Sequence, residues 1–434
     1  MRVQDAVSKR LRRGKRNSSA LRQGTPNKKI LRNGSSRKER VLWSRSEGIA
    51  NDTPVLGPNA VFVGMANARP LLWTPALILD LDALEHNLDT MAMLANRAGK
   101  NLRPHAKTHK SVRIARKQLK RGAVGISVAT VHEASVMVRA GIKDVLVTSP
   151  VAGKTKLDAV AALAEQSAEL LVVVDSMAGV SELETTLQRL GRSVRVLVDI
   201  DVGMRRTGTP NVTVAAELAA RVAASSTLQF CGLQCYSGEA QHIPAASKRA
   251  AIYKRELMRL EAVLERLAKR GLTPEIVSGG GTGTAFADMA ASLFTELQVG
   301  SYIFMDNQYN DVELFRGQKN PFKTSLFVQS MVLSNNHPRI ASVDAGFKSF
   351  SLDGPLPRVV RGAPRGSTFR FYGDEFGLVR LPGRHTIELG SKIEFVTPHC
   401  DPTVNLHDYY HCVRGERLVD IWPVDARGPL PRVR

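Results

Sequence analysis

A lysine within a short basic run follows one of the first apolar segments of the sequence. Lys107 lies in the run Arg103-Pro104-His105-Ala106-Lys107-Thr108-His109-Lys110. A lysine that forms a Schiff base with a carbonyl compound needs a lowered pKa, and partial burial beside other cations lowers it. These residues alone leave two interpretations open, a reactive lysine and a basic surface turn.

A glycine-rich run has the composition of a phosphate-binding loop. Gly279-Gly280-Gly281-Thr282-Gly283-Thr284 follows the apolar segment 275–278. Backbone N–H groups and hydroxyls in such a run can cradle a phosphate. It is not a Walker loop, since no Gly-Lys-Ser/Thr follows, and it lacks the downstream ribose-binding acid of the dinucleotide pattern. A flexible turn without a ligand is the alternative.

Two further polar clusters follow apolar segments. Charges in residues 199–208 are costly at a buried strand end unless they are paired, solvated or facing a ligand. His399 and Asp401 come just after a segment that ends at Val396. On an extended segment these two side chains share a face, so both could ligate one Mg²⁺, Mn²⁺ or Zn²⁺ ion with water completing its shell. A pair without a metal stays open as well.

The elements that position these residues follow a regular rhythm. Short apolar runs alternate with amphipathic helical segments, and the runs begin near Leu102, Val124, Asp144, Glu169, Val194, Phe230, Glu275 and Glu296. Eight strands in a βα rhythm predict an α/β fold of the (β/α)₈ TIM-barrel type, whose sites gather at the C-terminal strand ends. Lys107 then follows the first strand, and the glycine-rich run follows the seventh. A doubly wound open sheet is the structural alternative.

Three regions of the chain differ in character. Residues 1–70 are rich in Arg, Lys, Ser, Asn and Gly without a sustained hydrophobic period, which predicts a basic, disordered extension. Residues 71–315 carry the barrel pattern, preceded by a buried strand at 76–80 and a helix that Asp82 is placed to cap. In residues 316–434, strand-like runs separated by Gly and Pro turns predict a mostly β domain.

Composition limits the partners and the compartment. No apolar stretch reaches the roughly 20 residues of a membrane helix, so we expect no membrane insertion. The formal charge of +21 is uneven, because residues 1–47 hold 15 Lys/Arg against three acidic residues. The milder excess elsewhere suits an anionic cofactor or substrate, so we do not expect nucleic-acid binding by the folded part. Four cysteines without paired zinc-type spacing indicate a cytoplasmic protein.

The basic extension allows two other roles. Its Arg and Ser content is typical of an organellar targeting peptide, although its first residues lack a clear amphipathic helix. It also has the composition of an arm that attracts nucleic acid. Any nucleic-acid affinity would then depend on this extension alone.

Together these segments resemble the D-threonine aldolase and D-serine dehydratase family of fold-type III pyridoxal-phosphate (PLP) enzymes, whose barrel is related to that of alanine racemase. The resemblance runs from about Thr74 to Gly428. It rests on five motifs in order: Arg-Pro-His-Ala-Lys-Thr-His-Lys at 103–110, Gly-Leu-Gln-x-Tyr at 232–236, Gly-Gly-Gly-Thr-Gly at 279–283, Thr-Glu-Leu-Gln-x-Gly-Ser-Tyr-x-Phe-Met-Asp at 295–306, and His-x-Asp-Pro-Thr-x-Asn-Leu-His-Asp at 399–408.

The resemblance implies a role for each site residue. Lys107 would be the Schiff-base lysine, Arg206 would reach the phenolic oxygen of the cofactor, and Tyr236 would lie close to its ring. The residues expected to serve the phosphate are Gly280, Gly281, Thr282 and Tyr302. His399 and Asp401 would hold a divalent metal, and His242 is the candidate base. A homodimer is implied by the family alone.

Asp401 indicates which reaction to expect. D-Serine dehydratases typically have a cysteine there and bind zinc, whereas an aspartate favours Mn²⁺ or Mg²⁺ and is typical of the aldolases. We therefore expect cleavage of D-threonine or a related D-3-hydroxy-amino acid, such as 3-hydroxy-D-aspartate, into glycine and an aldehyde. The alternative is a D-serine or D-threo-3-hydroxyaspartate dehydratase, which would give a 2-oxo acid and ammonia.

Two other functions fit less well, and two residues depart from the family, Phe376 and Ser237, which follows Tyr236 where some aldolases have histidine. An amino-acid racemase needs a second base and no metal pair, and non-catalytic PLP-binding proteins generally lack a C-terminal β domain. The segment that usually reads Asp-Glu-His-Gly has Phe376 in place of the histidine. Because Phe376 can neither donate a proton nor bind a metal, we expect a different substrate range.

Overall fold

The computed structural model describes residues 56–314, 317 and 319–428. Residues 56–72 form two short 3₁₀ helices, Pro58–Phe62 and Arg69–Leu71. Ala68 and Leu72 are buried in a small apolar cluster that includes Ile78 and Leu418. The predicted disorder is therefore wrong for residues 56–70, because single 3₁₀ turns leave no hydrophobic period to read. The rest of that predicted extension, residues 1–55, lies outside the described residues.

The first strand and the first helix follow directly. β1 spans Ala76–Asp80 and α1 spans Leu81–Arg97. The side chain that caps α1 is Asp80, which accepts a hydrogen bond from Ala83 N, whereas Asp82 lies in the first turn. The strand at 76–80 was predicted correctly, but the cap lies two residues earlier than expected.

A barrel of eight parallel strands follows. Each strand begins within two residues of its predicted position: β2 (Asn101–Leu102), β3 (Ile126–Val128), β4 (Val145–Val147), β5 (Leu171–Val174), β6 (Val194–Ile200), β7 (Leu228–Cys235), β8 (Ile276–Gly279) and β9 (Glu296–Leu297). The helices between and after them are α2 (Val112–Leu119), α3 (Val131–Arg139), α4 (Lys154–Gln166), α5 (Met177–Leu190), α6 (Val212–Ala223), α7 (Ala246–Ala268) and α8 (Ala285–Ala290).

The strand order confirms a barrel rather than an open doubly wound sheet. From β3 to β9 each strand pairs with its neighbour in sequence, and β9 pairs with β2. Backbone bonds of 2.9 Å from Val124 N to Leu102 O and from Ser127 N to Pro104 O join the remaining edges. The barrel is therefore closed, and the C-terminal ends of all eight strands face one side.

A mostly β domain completes the chain, as predicted. It contains α9 (Asn307–Asn310), β10 (Leu326–His337), β11 (Ile340–Val343), β12 (Arg358–Arg361), β13 (Thr368–Phe371), β14 (Gly377–Arg380), β15 (Lys392–Val396), α10 (Cys400–Val404), β16 (Tyr409–Arg414) and β17 (Arg417–Pro423). These strands form one nine-stranded sheet together with β1, which pairs antiparallel with β10 and parallel with β16. The first strand of the chain thus belongs to the sheet of the β domain, although it precedes the barrel in the sequence.

Within the described residues, no helix has the length and apolar character that a membrane crossing requires.

Candidate active site

A cavity of about 290 Å³ opens at the C-terminal ends of the barrel strands. Its wall is formed by loops that follow several strands, so residues far apart in sequence meet there. The lining residues are His105, Lys107, Thr108, Ala129, Thr148, Ser149, Arg206, Thr207, Gln234, Tyr236, Gly280, Gly281, Thr282, Gln298, Gly300, Ser301 and Tyr309. Six of the ten residues predicted for the site are among them.

Lys107 lies in the 3₁₀ turn Ala106–Thr108 that follows β2. Its Nζ is 2.6 Å from Asp401 Oδ2 in the β domain. The charge of Asp401 raises the pKa of Lys107 above its ordinary value. We expected the opposite shift, and that prediction is wrong because the decisive partner comes from nearly 300 residues away in the sequence.

The basic residues near Lys107 in the sequence do not lower its pKa, since each is either neutral or forms an ion pair with an acidic residue. Arg103 forms ion pairs with Glu296 and Asp144. Lys110 forms an ion pair of 2.5 Å with Glu133. Burial lowers the pKa of His105 well below its ordinary value and lowers that of His109 to about 4, so both imidazoles are neutral at pH 7.

Arg206 and Tyr236 come from the loops after β6 and β7. The Arg206 guanidinium lies over the Tyr236 ring, 5.4 Å from its centroid. Burial raises the pKa of Tyr236, so its hydroxyl stays protonated. The two side chains form one wall of the cavity, close to Lys107, whose charge also acts on Tyr236.

The glycine-rich loop after β8 forms another wall, made largely of backbone. Gly280 has φ +77°, and a Cβ on it would lie 2.5 Å from Asp288 Oδ2. A Cβ on Gly281 would lie 2.4 Å from Gln241 Oε1. Side chains are therefore excluded at Gly280 and Gly281, so the wall there is main chain, with Thr282 beside it.

Tyr302 does not line the cavity with its side chain. The ring is buried against Phe322, and its hydroxyl accepts a hydrogen bond from Gln118 Nε2 at 3.3 Å. Its backbone N donates to Thr282 Oγ1 at 3.0 Å. The neighbouring Ser301 lines the cavity, and the role of Tyr302 toward the phosphate stays a prediction.

A buried polar network forms the floor of the cavity. Gln234 Nε2 donates to Asp199 Oδ1 at 3.0 Å, and Gln298 Nε2 donates to Gln234 Oε1 at 3.2 Å. Thr207 Oγ1 donates to the other oxygen of Asp199 at 2.9 Å. The charge at the end of β6 is therefore paired with donors. The sequence motifs contained both glutamines, but no residue pattern indicated that they meet.

His399 and Asp401 lie at the start of α10, on the side of the β domain that meets Lys107. His399 is the N-cap residue of this short helix, and its Nδ1 is 2.8 Å from Asp353 Oδ2. The two residues were expected on an extended segment, which is wrong because the chain turns into a helix at Cys400. Burial would raise the pKa of Asp401, but the charges of Lys107 and His399 lower it below its ordinary value.

His242 lies beyond Tyr236, in the segment that leads to α7. Its ring centroid is 4.7 Å from that of Tyr309 and 6.2 Å from that of His399. The His242 residue is exposed in part, but its partial burial, together with the charge of His399, lowers its pKa, so the imidazole is neutral at pH 7 and can accept a proton. Tyr309, which also lines the cavity, was missed because one aromatic residue in a short helix carries no sequence signal.

Phe376 lies at the turn between β13 and β14. Its ring is 45% exposed, and its carbonyl accepts a hydrogen bond from Tyr372 N at 2.9 Å. The neighbouring Glu375 forms an ion pair of 2.5 Å with Lys348. Phe376 is therefore a surface aromatic residue of the β domain and is not part of the cavity wall.

Two family models match consecutive parts of the chain. The alanine racemase N-terminal domain matches residues 79–308, and the serine dehydratase domain matches residues 325–413. The 3-hydroxy-D-aspartate aldolase of Paracoccus denitrificans (strain Pd 1222) is 38% identical over 359 residues, which cover 82% of this chain and 92% of that protein. This chain belongs to the D-threonine aldolase and D-serine dehydratase-like family. The aldolases among its relatives are PLP-dependent carbon–carbon lyases of fold type III.

Two other members of the family extend the comparison. The crystal structure of D-threonine aldolase from Filomicrobium marinum is 39% identical and superimposes with a TM-score of 0.79, covering 82% of this chain and 96% of that one. The D-threo-3-hydroxyaspartate dehydratase of Delftia sp. (strain HT23) is 29% identical over 282 residues, which cover 64% of this chain and 73% of that protein. Both aldolases are thus more similar to this chain than the dehydratase is.

Proposed function

We propose that this protein is a PLP-dependent aldolase that cleaves D-threonine or a related D-3-hydroxy-amino acid, such as 3-hydroxy-D-aspartate, into glycine and an aldehyde. The contact that carries the proposal is the pair of Lys107 Nζ and Asp401 Oδ2, 2.6 Å apart. It brings the barrel lysine that we expect to hold the cofactor next to an aspartate of the β domain. The similarity to two aldolases supports the reaction type.

The cavity wall suits PLP. Lys107 would hold the cofactor covalently through Nζ, with Arg206 and Tyr236 beside the ring. The phosphate would lie against Gly280, Gly281 and Thr282, where a Cβ at either glycine would be obstructed and only backbone fits. When bound, PLP supplies an electron sink for the electron pair released at the substrate's α-carbon.

We further propose that His399 and Asp401 hold a divalent ion. Imidazole nitrogen and carboxylate oxygen suit Mn²⁺, Mg²⁺ or Zn²⁺, and the Asp353 carboxylate fixes His399 through Nδ1, as acidic neighbours do for histidine ligands of metals. Within the described residues, no group of three or more His, Cys, Asp or Glu side chains is arranged around one point, so water and substrate would complete the shell. A divalent ion would lower the pKa of the substrate's β-hydroxyl.

His242 is placed to act as the general base. Its ring lies on the His399 side of the site, and its lowered pKa keeps it unprotonated at pH 7. We propose that it takes the proton of the β-hydroxyl while the Cα–Cβ bond breaks. The oxygen becomes the carbonyl of the aldehyde, the bond's electron pair goes to Cα, and a proton added at Cα gives glycine. The reaction is thus balanced without an oxidant or a reductant.

Dehydration is the second candidate, because one relative is a D-threo-3-hydroxyaspartate dehydratase. It would break the Cβ–O bond of the same substrate. Incubation of the protein with PLP, Mn²⁺ and D-threonine distinguishes the two reactions. Equal amounts of acetaldehyde and glycine support the aldolase, whereas 2-oxobutyrate and ammonia without glycine would replace it with the dehydratase.

We also propose that the protein acts as a homodimer in the cytoplasm. His242 and Arg206 are exposed in a single chain, although both flank the site, so a second chain has room to cover them. Light scattering of the purified protein tests the dimer, and a mass of one chain would contradict it. Fluorescence microscopy of the tagged full chain tests the compartment, and an organellar signal would contradict it.

A further inference from the structure

A buried glutamine beside the glycine-rich loop is not accounted for by the proposed chemistry. Gln241 is fully buried, although it immediately precedes the exposed His242. It lies between two loops, the one that follows β7 and the one that follows β8. A buried amide is retained only where its donors and acceptors are satisfied, so its partners indicate what it holds in place.

The side-chain amide of Gln241 bonds to both loops. Its Nε2 donates to Ser237 O at 2.9 Å on the β7 side and to Thr284 Oγ1 at 3.0 Å on the β8 side. Its Oε1 accepts from Gly283 N at 2.9 Å. Two of these hydrogen bonds join the segment that carries His242 to the loop that carries Gly280 and Gly281, and the third fixes Gln241 within its own segment.

The contact surface between the two loops is tight. A Cβ on Gly281 would lie 2.4 Å from Gln241 Oε1, and a Cβ on Gly283 would lie 2.0 Å from Gln241 O. Gln241 therefore leaves room only for glycine at both positions. A shift of this side chain would move the loop backbone directly.

The far side of the loop is anchored as well. Thr284 Oγ1 donates to Asp288 Oδ2 at 2.6 Å, and Tyr253 Oη donates to Asp288 Oδ1 at 2.5 Å. Because the Thr284 hydroxyl donates to Asp288, its lone pairs face Gln241 Nε2 and Gly281 N. The loop is thus fixed to α7 and α8 on one side and to the His242 segment on the other.

From these contacts we infer that Gln241 is a positioning residue that sets the glycine-rich loop for the cofactor phosphate and couples it to the segment that places His242. This inference rests on the proposed function. Gln241 touches neither the cavity nor the reacting atoms, so it acts through Gly283, Thr284 and the backbone of Ser237.

The test compares PLP with pyridoxal, which lacks the phosphate. Gln241→Met removes the three hydrogen bonds without adding a charge, and Gln166→Met is the control, since Gln166 is exposed on α4 and bonds to Ala162 O. Each cofactor-stripped protein is titrated with each compound by tryptophan fluorescence. We expect PLP affinity to fall about tenfold in Gln241→Met, from the loss of buried hydrogen bonds, with pyridoxal affinity changed less than twofold.

A second pair of variants covers the case in which Gln241→Met does not fold. Thr284→Val removes the hydroxyl that Gln241 contacts, and Thr284→Ser keeps it. We expect Thr284→Val to weaken PLP selectively and Thr284→Ser to behave as the wild type. At saturating PLP, kcat should fall more in Gln241→Met than in Thr284→Val, because only the former releases the Ser237 side.

The outcomes separate this inference from the proposed function. If the wild type and Gln166→Met bind PLP and release glycine, but Gln241→Met and Thr284→Val bind PLP as tightly as the wild type, the positioning role is overturned. An equal loss of PLP and pyridoxal affinity overturns it too, since the effect would not involve the phosphate. If the wild type itself neither binds PLP nor releases glycine, the proposed function fails.

Discussion

Replacing Arg69 with methionine should destabilise the protein strongly, although this residue falls in a stretch that the sequence predicts as disordered. Arg69 and Glu394 form a buried ion pair whose side chains are 6% and 3% exposed. Nε donates to Oε1 at 2.7 Å and Nη2 donates to Oε2 at 2.6 Å. Arg69→Met keeps an unbranched apolar chain but leaves Glu394 with Gln329 Nε2, 3.0 Å away, as its remaining side-chain donor.

The expected cost follows from that geometry. Breaking one side of a buried ion pair costs about 3–5 kcal/mol, and the bond from Gln329 favours the lower end. Arg361→Met is the matched control, because Arg361 and Glu416 form an ion pair whose side chains are 47% and 41% exposed. An exposed pair of this kind contributes about 1 kcal/mol or less.

Equilibrium urea unfolding followed by circular dichroism measures both variants. We expect the free energy of unfolding to fall by about 3 kcal/mol in Arg69→Met. Adding Glu394→Gln should recover part of the loss, because it removes the buried charge. Equal, small losses in Arg69→Met and Arg361→Met would refute the conclusion that residues 56–72 are an integral part of the fold.

Three further predictions concern the site and the response to pH. Asp353→Asn should weaken Mn²⁺ binding about 10- to 100-fold by releasing His399, measured by calorimetry; an unchanged affinity contradicts the metal proposal. His242→Ala should lower kcat about 10²- to 10⁴-fold while PLP binding is retained, and a kcat near that of the wild type excludes it as the base. Burial lowers the pKa of His411 to about 4 from 6.5. Above pH 6.5 His411 is neutral in both the folded and the unfolded protein. As the pH falls from 6.5 toward 4, only the unfolded protein binds a proton at His411, so the free energy of unfolding falls by roughly 3 kcal/mol. His411→Gln should flatten this dependence in urea unfolding, and an unchanged slope contradicts it.

The barrel could be predicted from the sequence because its signals are local. Each strand is a short apolar run, and each helix has its own hydrophobic face, so periodicity finds them one at a time. Because all barrel strands are parallel, every loop that directly follows a strand lies at the same, C-terminal end of the barrel. This is why Lys107, the charged run at 199–208 and the glycine-rich loop could be expected at one end of the barrel, whereas Tyr236 and the role of Arg206 were implied by the family resemblance alone.

Two of the errors have a different cause, since they depend on contacts between distant segments. The pKa of Lys107 rises because of Asp401, which no local pattern places beside it. Arg69 is ordered through Glu394, 325 residues away. Sequence patterns identified which residues belong to the site region, but tertiary packing determines their partners and charges.

The most direct test of the account is borohydride reduction of the PLP-loaded protein followed by peptide mass spectrometry. Reduction fixes PLP to the amine that holds it, so the attachment site can be read from the peptides. We expect the PLP adduct on Lys107 in the wild type and its loss in Lys107→Ala, together with loss of acetaldehyde release from D-threonine. An adduct on another lysine, or none, would contradict the assignment of Lys107 and the mechanism built on it.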